Sequence, residues 1–489
     1  MTTSLSVATT PAELDAVLAA STRAAQRLRE IPDAERATWL EAIADALDAA
    51  RDELVELAVT ETRLPVPRLT GEVTRTTNQL RAFAAVVRDG SYLEAVLDSA
   101  DPSSTPPRPD IRRILIPLGP VANFAASNFP FAFSVAGGDT ASALAAGCPV
   151  VVKAHPGHPE LSRRTAELVL EALDGAGAPE GTFALVEGTE TGAALVAHPA
   201  IAAGAFTGST RGGRALFDIA VGRPDPIPFY GELGSVNPVV VTEGAVRERG
   251  ETLVDGLVAS FTFSAGQLCT KPGLVFAPAS AGLGEKVLAA LGTPGSAPLL
   301  NDGIASGYRS GWDALRSAAD VRVLSDSQID EDGTATPGLA VVPAAAIAQH
   351  PELADEVFGP ATLIAEYESL DELPELIRSI GGSLTGTVHA VDGDEIAPVV
   401  SALEDIAGRV LFGGWPTGVA VTWSQQHGGP WPSSTSIFTS VGMTALRRFQ
   451  RPLAYQDAPA TVLPAALRDD NPLGIPRRID GVAVAAHGA

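Results

Sequence analysis

Lysine is almost missing from the 489-residue chain: of its 34 basic residues only Lys153, Lys271 and Lys286 are lysine, and the other 31 are arginine. A bias this strong makes each surviving lysine worth a question. Cysteine is as scarce, at Cys148 and Cys269 alone. Two thiols cannot build a disulfide framework for a chain of this size, so a reducing, cytoplasmic setting is the expectation. Basic charge is outweighed 34 to 58, for a net charge of −24. No basic patch of the kind that nucleic acid or an anionic membrane surface requires is visible. No apolar run reaches the ~18 residues of a membrane span. The nearest candidate, Ser134 to Lys153, is rich in Ala and Gly and carries Asp139. The N-terminal stretch MTTSLSVATTPAELDAV has neither a basic n-region nor an apolar h-region, which predicts no signal peptide. What remains is an ordinary globular composition, 45% apolar and 19% charged. It excludes disordered, collagenous and coiled-coil classes, and the length suggests about three domains, or two large ones with an appendage.

The first hundred residues read as helices. Thr10, Pro11 and Glu13 supply an N-cap, an N1 proline and a capping-box partner, and a second start falls at Pro32–Asp33, where Trp39, Ile43 and Leu47 mark the apolar face. Asp98 to Arg112, rich in Pro, Ser and Asp, reads as a linker or excursion. The pattern then changes. Strands are expected at 113–117, 121–124, 150–153, 183–186 and 204–207, with helices at 134–147, 161–173, 191–197 and 211–220, and a further strand at 226–230. Strand–helix alternation with fully apolar strands marks a parallel sheet covered on both faces, and such sheets bind ligands at the carboxyl ends of their strands. A second series of this kind runs from about 238 to 441. The segment from Phe449 to Ala489 carries several prolines and little periodicity, and reads as an arm that packs on another subunit.

Several residues carry chemistry. Cys269 sits in Ser-Ala-Gly-Gln-Leu-Cys-Thr-Lys-Pro-Gly, where flanking glycines suggest tight turns about a nucleophilic thiol in surroundings that favour thiolate. Spacing alone leaves a buried structural cysteine equally open, which is the reading for Cys148. Glu232 follows a strand among small and apolar neighbours. Desolvation there is expected to raise its pKa and fit it as a general base, against the alternative of a surface carboxylate. Asn128, in Ala-Ser-Asn-Phe-Pro-Phe, is either an oxyanion donor or a turn residue. Lys153 ends a strand and is either a ligand for ribose or phosphate or a solvated rim charge. Phe206-Thr-Gly-Ser-Thr opens a helix whose free N–H groups form an anion site, although the bare pattern is weak. His155 and His158 lack the cluster that would complete a metal site, so no metal is expected.

Taken in order, SNFPF (127–131), VVKAHP (151–156), FTGST (206–210), ELGSVNP (232–238), GQLCT (266–270) and EVFGP (356–360) resemble the aldehyde dehydrogenase superfamily over nearly the whole chain. The resemblance implies an α/β fold: a Rossmann-type parallel-sheet cofactor domain at 1–98 and 118–232, a catalytic α/β domain at 233–450, and a small oligomerisation arm at 99–117 and 451–489. It implies Cys269 as nucleophile, Glu232 as general base, and Asn128 with the Cys269 backbone N–H as oxyanion hole. Lys153 and Glu356 would hold cofactor ribose hydroxyls, Gly208 and Ser209 would lie by the pyrophosphate, and Phe358 would pack near the nicotinamide ribose. A homodimer or homotetramer is implied. GWPTGVAV (414–421), QHGGPWPSSTS (426–436), RPLAYQDAP (451–459) and LRDDNPLGIPRRIDG (467–481) are similar to the branch holding α-ketoglutarate semialdehyde (2,5-dioxovalerate) dehydrogenases and NADP-preferring fatty-aldehyde dehydrogenases. That branch implies oxidation of 2,5-dioxopentanoate, with medium- or long-chain aldehydes as the alternative. Pro156 stands where many members carry an acidic residue, so NADP is expected, with NAD possible. Ser127 replaces a common Trp and Leu274 a common Arg. Acyl transfer to coenzyme A and a non-enzymatic role are disfavoured by the joint presence of Glu232, Cys269 and Asn128.

Overall fold

The computed structural model describes residues 8–293 and 295–486. Residues 1–7, part of the stretch read above as lacking a signal peptide, lie outside that range, as do the last three residues of the arm. The helix Pro11–Leu28 opens with the expected capping box, Thr10 accepting from the Glu13 N–H while the Glu13 carboxylate accepts from the Thr10 N–H. The helix Asp33–Ala49 buries Trp39, Ile43 and Leu47 against the long helix Val66–Asp89. Arg81 ties the two together through Asp45 and Asp48, and Arg88 does so through Glu41. No helix among the described residues is long and apolar enough to cross a membrane.

The first sheet is parallel throughout and runs in the order Phe183–Val186, Val150–Lys153, Val121–Phe124, Ala203–Thr207, Phe229–Glu232. Its centre is a run of β-branched side chains closed on both faces, with Val150, Val151 and Val152 at 0% exposure, as a helix-covered parallel sheet demands. Strand order reverses beside Val121–Phe124, which makes the crevice at the carboxyl ends the ligand position. Asn128, Lys153, Gly208, Ser209 and Glu232 all end or follow strands of this sheet.

The second sheet has seven strands in the order Arg322–Ser325, Gly338–Pro343, Ala361–Tyr367, Leu274–Pro278, Val239–Val241, Ser383–His389, Ala407–Phe412. All are parallel except the first. Cys269 precedes the strand Leu274–Pro278, and Glu356 and Phe358 precede Ala361–Tyr367. The site therefore forms where carboxyl ends of one sheet meet amino ends of the other, and a bridge between Glu232 and Ser434 joins the two halves. A third sheet runs Gln450–Gln456, Ile111–Pro117, Val96–Asp98, Arg477–Ile479, Val482–Val484, so the segment after 98 and the C-terminal segment pair with each other.

One helix differs from the sequence reading. The Ala-rich stretch expected to be helical from 134 begins only at Gly138. The chain first folds back on itself: Gly138 N–H donates to the Ala132 carbonyl, and a Cβ on Gly137 would stand 2.5 Å from that same oxygen. Alanine content marks helical preference but not the turn that must precede the helix. This helix is then locked by the buried pair Asp139–Arg448, at 2.7 Å.

Candidate active site

Three residues in a row before the nucleophile, Ser264, Ala265 and Gly266, take left-handed backbone angles, with φ of 55°, 53° and 63°. Such a run is strained for the first two and must be held by its surroundings. Gly266 is required by contact as well: a Cβ there would lie 2.1 Å from the Gly359 carbonyl. Gln267, fully buried, accepts from the Leu300 N–H at 2.8 Å and donates to the Ser264 carbonyl at 3.1 Å. Asn237, also at 0% exposure, donates to the carbonyls of Cys269 and Lys271 at 2.8 and 3.0 Å. Its own oxygen accepts from the Ser235 hydroxyl and the Thr385 N–H. The nucleophile turn is thus clamped from both sides, and the thiol stays half-buried rather than sealed.

Around that thiol stand Glu232 and His427. The imidazole Nε2 lies 3.6 Å from Cys269 Sγ and 3.0 Å from Glu232 Oε1, and the Ser440 hydroxyl donates to Glu232 Oε2 at 2.5 Å. Their donor atoms all lie within 4.8 Å of one another. Burial drives the Cys269 thiol well above its ordinary value, and the Glu232 charge adds to the effect. For Glu232 the sequence expectation is corrected. Burial does push the carboxyl upward, but the His427 imidazole, the Ser440 hydroxyl and the thiol together outweigh it, and the net shift is downward. The site therefore rests as a thiol beside a carboxylate, with an imidazole between them.

Asn128 turns its side-chain amide to the Gln267 carbonyl, at 3.2 Å, and so faces the segment that carries Cys269. Two residues of the helix Val66–Asp89 hold its loop. Arg68 donates to the Asn128 carbonyl at 2.5 Å and to the Ser264 hydroxyl, and Glu72 accepts from the N–H groups of Phe131 and Ala132 at 2.8 and 3.0 Å. Asn128 and the segment that carries Cys269 are in this way tied to one helix.

Lys153 stands at the carboxyl end of its strand, and its ammonium has no hydrogen-bond partner among the described residues. Burial lowers its pKa while the Glu187 charge opposes this. Ser209 caps the helix Thr210–Gly222 by accepting from Gly212 N–H, and Gly208 N–H donates to the Glu232 carbonyl. Glu356 lies against the backbone of Gly234, where a Cβ would stand 2.7 Å from its carboxylate. Burial pushes Glu356 up to about 7 against the pull of Lys271. Burial likewise lowers Lys271, whose ammonium donates to the Ala361 carbonyl at 2.7 Å, to about 8. Phe358 is half-buried in the same segment. A lysine ammonium at a strand end and a capped helix start can donate to ribose oxygens and a pyrophosphate, and a carboxylate against a glycine can accept from ribose hydroxyls. His155 and His158 are stacked at 5.5 Å. His158 is fully committed to the Ala126 carbonyl and the Ser162 hydroxyl, a structural role. Cys148 is buried and donates to the Phe449 carbonyl.

Two residues of the site, His427 and Asn237, received no role from the sequence. His427 lies 158 positions from Cys269 as a single histidine between Gln426 and Gly428, a context with no spacing rule. Asn237 carried one usable signal, its place just before a proline and a buried strand.

These geometries have counterparts. The model of the aldehyde dehydrogenase family matches residues 3–293. The α-ketoglutaric semialdehyde dehydrogenase 2 of Azospirillum brasilense is 47% identical over 466 residues, covering 93% of this chain and 89% of that protein. The α-ketoglutaric semialdehyde dehydrogenase of Acinetobacter baylyi is 42% identical over 479 residues, covering 96% and 91%. Among solved structures, a Thermus 1-pyrroline-5-carboxylate dehydrogenase with bound NAD superposes with a TM-score of 0.79 at 22% identity, covering 92% of this chain and 86% of that one. With two sheets meeting over a half-buried thiol, and relatives matching it end to end, the chain belongs to the aldehyde dehydrogenase family.

Proposed function

We propose that the protein oxidises 2,5-dioxopentanoate to 2-oxoglutarate with a nicotinamide dinucleotide, using NADP in preference to NAD. The observation that carries the reading is the convergence of Cys269, His427 and Glu232 opposite the Asn128 amide. An aldehyde carbon gives up hydride readily only once it bears an oxyanion. Cys269 supplies that state by attack, its proton passing to the Glu232 carboxylate that the thiol faces and on to solvent, while His427 Nε2–H donates to that same carboxylate. The Asn128 amide and the Cys269 N–H stabilise the alkoxide of the thiohemiacetal. When bound, the dinucleotide supplies the hydride acceptor, and Lys153, Gly208, Ser209, Glu356 and Phe358 would hold it. A thioester then remains on Cys269. Glu232, kept ionised by its partners, takes a proton from water to release the acid. With a water-activating carboxylate in place, hydrolysis is favoured over transfer to coenzyme A.

The names of the relatives support the substrate. The preference for NADP is supported by Pro156 and by the charges near Lys153: Glu187, whose field reaches the lysine, is held bidentately by Arg163 at 2.8 Å. A 2′-phosphate meets no free carboxylate there. A homodimer or homotetramer is supported by the exposed Val482 and Val484 on the outer strand of the third sheet, an edge suited to a second copy, and a cytoplasmic setting by the two-cysteine composition. The test is reduction of NADP and NAD by the purified protein with 2,5-dioxopentanoate and with long-chain aldehydes. Turnover of the keto acid with NADP is expected; turnover of long-chain aldehydes alone would replace the substrate assignment. Glu232→Gln is expected to give a burst of reduced dinucleotide with stalled turnover, and a normal steady state would remove Glu232 from its role.

A further inference from the structure

The helix Val66–Asp89 sends three charged side chains, Arg68, Glu72 and Arg75, toward the site, spaced to lie on one face. Arg68 is committed to the Asn128 carbonyl and the Ser264 hydroxyl. Glu72 is committed to the backbone of Phe131 and Ala132. Arg75 differs: among the described residues it has no hydrogen bond and no ion pair, only ring contacts. Its guanidinium lies 5.2 Å from the centre of the Phe133 ring and 5.8 Å from that of Phe129. The Phe133 ring lies 6.5 Å from the His427 ring, whose Nε2 touches Cys269. Arg75 thus stands two aromatic steps from the nucleophile, and its field reaches both Cys269 and Glu232.

Arg75 is half-buried, and cation–π contact holds its guanidinium in place without committing its N–H donors to another protein group, so they are free to take an anion. Burial accordingly lowers its pKa, while Glu72, Cys269 and Glu232 oppose the shift. On its other side Arg75 lines a hollow open to solvent, with Gly71, Thr74, Asn78 and Val421. The competing cation, Arg409, also reaches Cys269, but its Nη1 and Nη2 already donate to the carbonyls of Gly418 and Pro416, both at 2.9 Å, which leaves only Nε without a partner. Lys271 is spent on Ala361.

We infer that Arg75 is the carboxylate-binding residue of the substrate pocket, held against Phe129 and Phe133 so that its fork takes the distal acid group of an aldehyde acid seated at Cys269. The inference rests on the reading that the substrate carries a carboxylate. It assigns a bidentate anchor to a pocket in which the Glu232 carboxylate beside the thiol would otherwise repel a keto-acid anion.

The test compares Arg75→Met and Arg75→Lys with the parent enzyme on 2,5-dioxopentanoate and on pentanal, an aldehyde of equal length without the acid. The ratio of kcat/KM for the two substrates cancels any effect of the lost charge on the thiol itself. Arg75→Met is expected to lower that ratio roughly 10- to 100-fold, the worth of a charged hydrogen-bonded contact, mainly through KM, and to weaken product inhibition by 2-oxoglutarate alike. Arg75→Lys is expected to recover part of both. A ratio unchanged in Arg75→Met, with parent turnover of the keto acid intact, overturns the Arg75 assignment alone. A parent enzyme that does not turn over 2,5-dioxopentanoate overturns the substrate reading, and this inference with it.

Discussion

Removing the His427 imidazole should reverse the electrostatics of Glu232. In the structure the carboxylate is 3% exposed and holds only two strong donors, His427 at 3.0 Å and Ser440 at 2.5 Å. His427→Ala strips one away and leaves a buried charge half satisfied, a loss of about 3–5 kcal/mol for a buried pair broken on one side. Burial, already the largest influence on the group, then prevails, and the carboxyl moves from below its ordinary value to above it. The sign of the linkage follows. In the parent enzyme the lowered carboxyl contributes stability above the unfolded value of about 4.3, and that contribution is lost as pH falls through the folded value. In the variant the raised carboxyl is a burden at neutral pH that is relieved as it takes up a proton. The deficit in melting temperature between parent and variant should therefore shrink as pH is lowered from 8 toward about 5. In the pH profile of kcat the acid limb should move upward, and kcat at neutral pH should fall because less of Glu232 is ionised there to act as base. His427→Gln, whose amide can still donate to Glu232, should keep most of the stability and shift the acid limb less than His427→Ala does. Paired thermal melts and steady-state profiles over that pH range decide the matter. A deficit that is constant with pH, together with an unmoved acid limb, would refute the argument that His427 sets the charge of Glu232.

Two further outcomes are expected. Without dinucleotide, alkylation of Cys269 by iodoacetamide should keep accelerating past about pH 8.5, the ordinary thiol value, because burial and Glu232 hold the proton on sulfur; Cys148, at 0% exposure, stays silent. A rate plateau below about pH 7 would show instead a resting thiolate. Asn237→Ala removes two donations to the carbonyls of Cys269 and Lys271 at a position with no solvent access. It should cost about 2–4 kcal/mol in unfolding free energy and roughly 10²-fold in kcat/KM through a displaced thiol, read by denaturant melts and kinetics on the same preparation.

The residues that the sequence exposed share a property: each sits where local pattern and final position coincide. The strands 150–153, 183–186 and 121–124 fall where their apolar runs place them, since a strand buried on both faces has no choice but to be continuous in Val, Ala and Phe. Asn128, Gly208, Ser209 and Glu232 follow strand ends, and a parallel sheet gathers its strand ends into one crevice whatever the intervening helices are. The features that escaped depend on partners far along the chain. His427 meets Glu232 across 195 positions, so no window of sequence contains both. For the same reason the expected direction of the Glu232 shift was reversed: desolvation can be read from apolar neighbours, whereas the imidazole and the Ser440 hydroxyl that outweigh it arrive from the far end of the second sheet. Arg75 escaped because 31 arginines look alike in a row of letters. What separates it from Arg68, seven residues away on the same helix, is only that the loop bearing Asn128 takes up the hydrogen bonds of one and leaves those of the other unmade. Where a half-buried charge has no partner among the described residues, the open position points to a ligand, and it becomes readable only after folding has assigned the other donors.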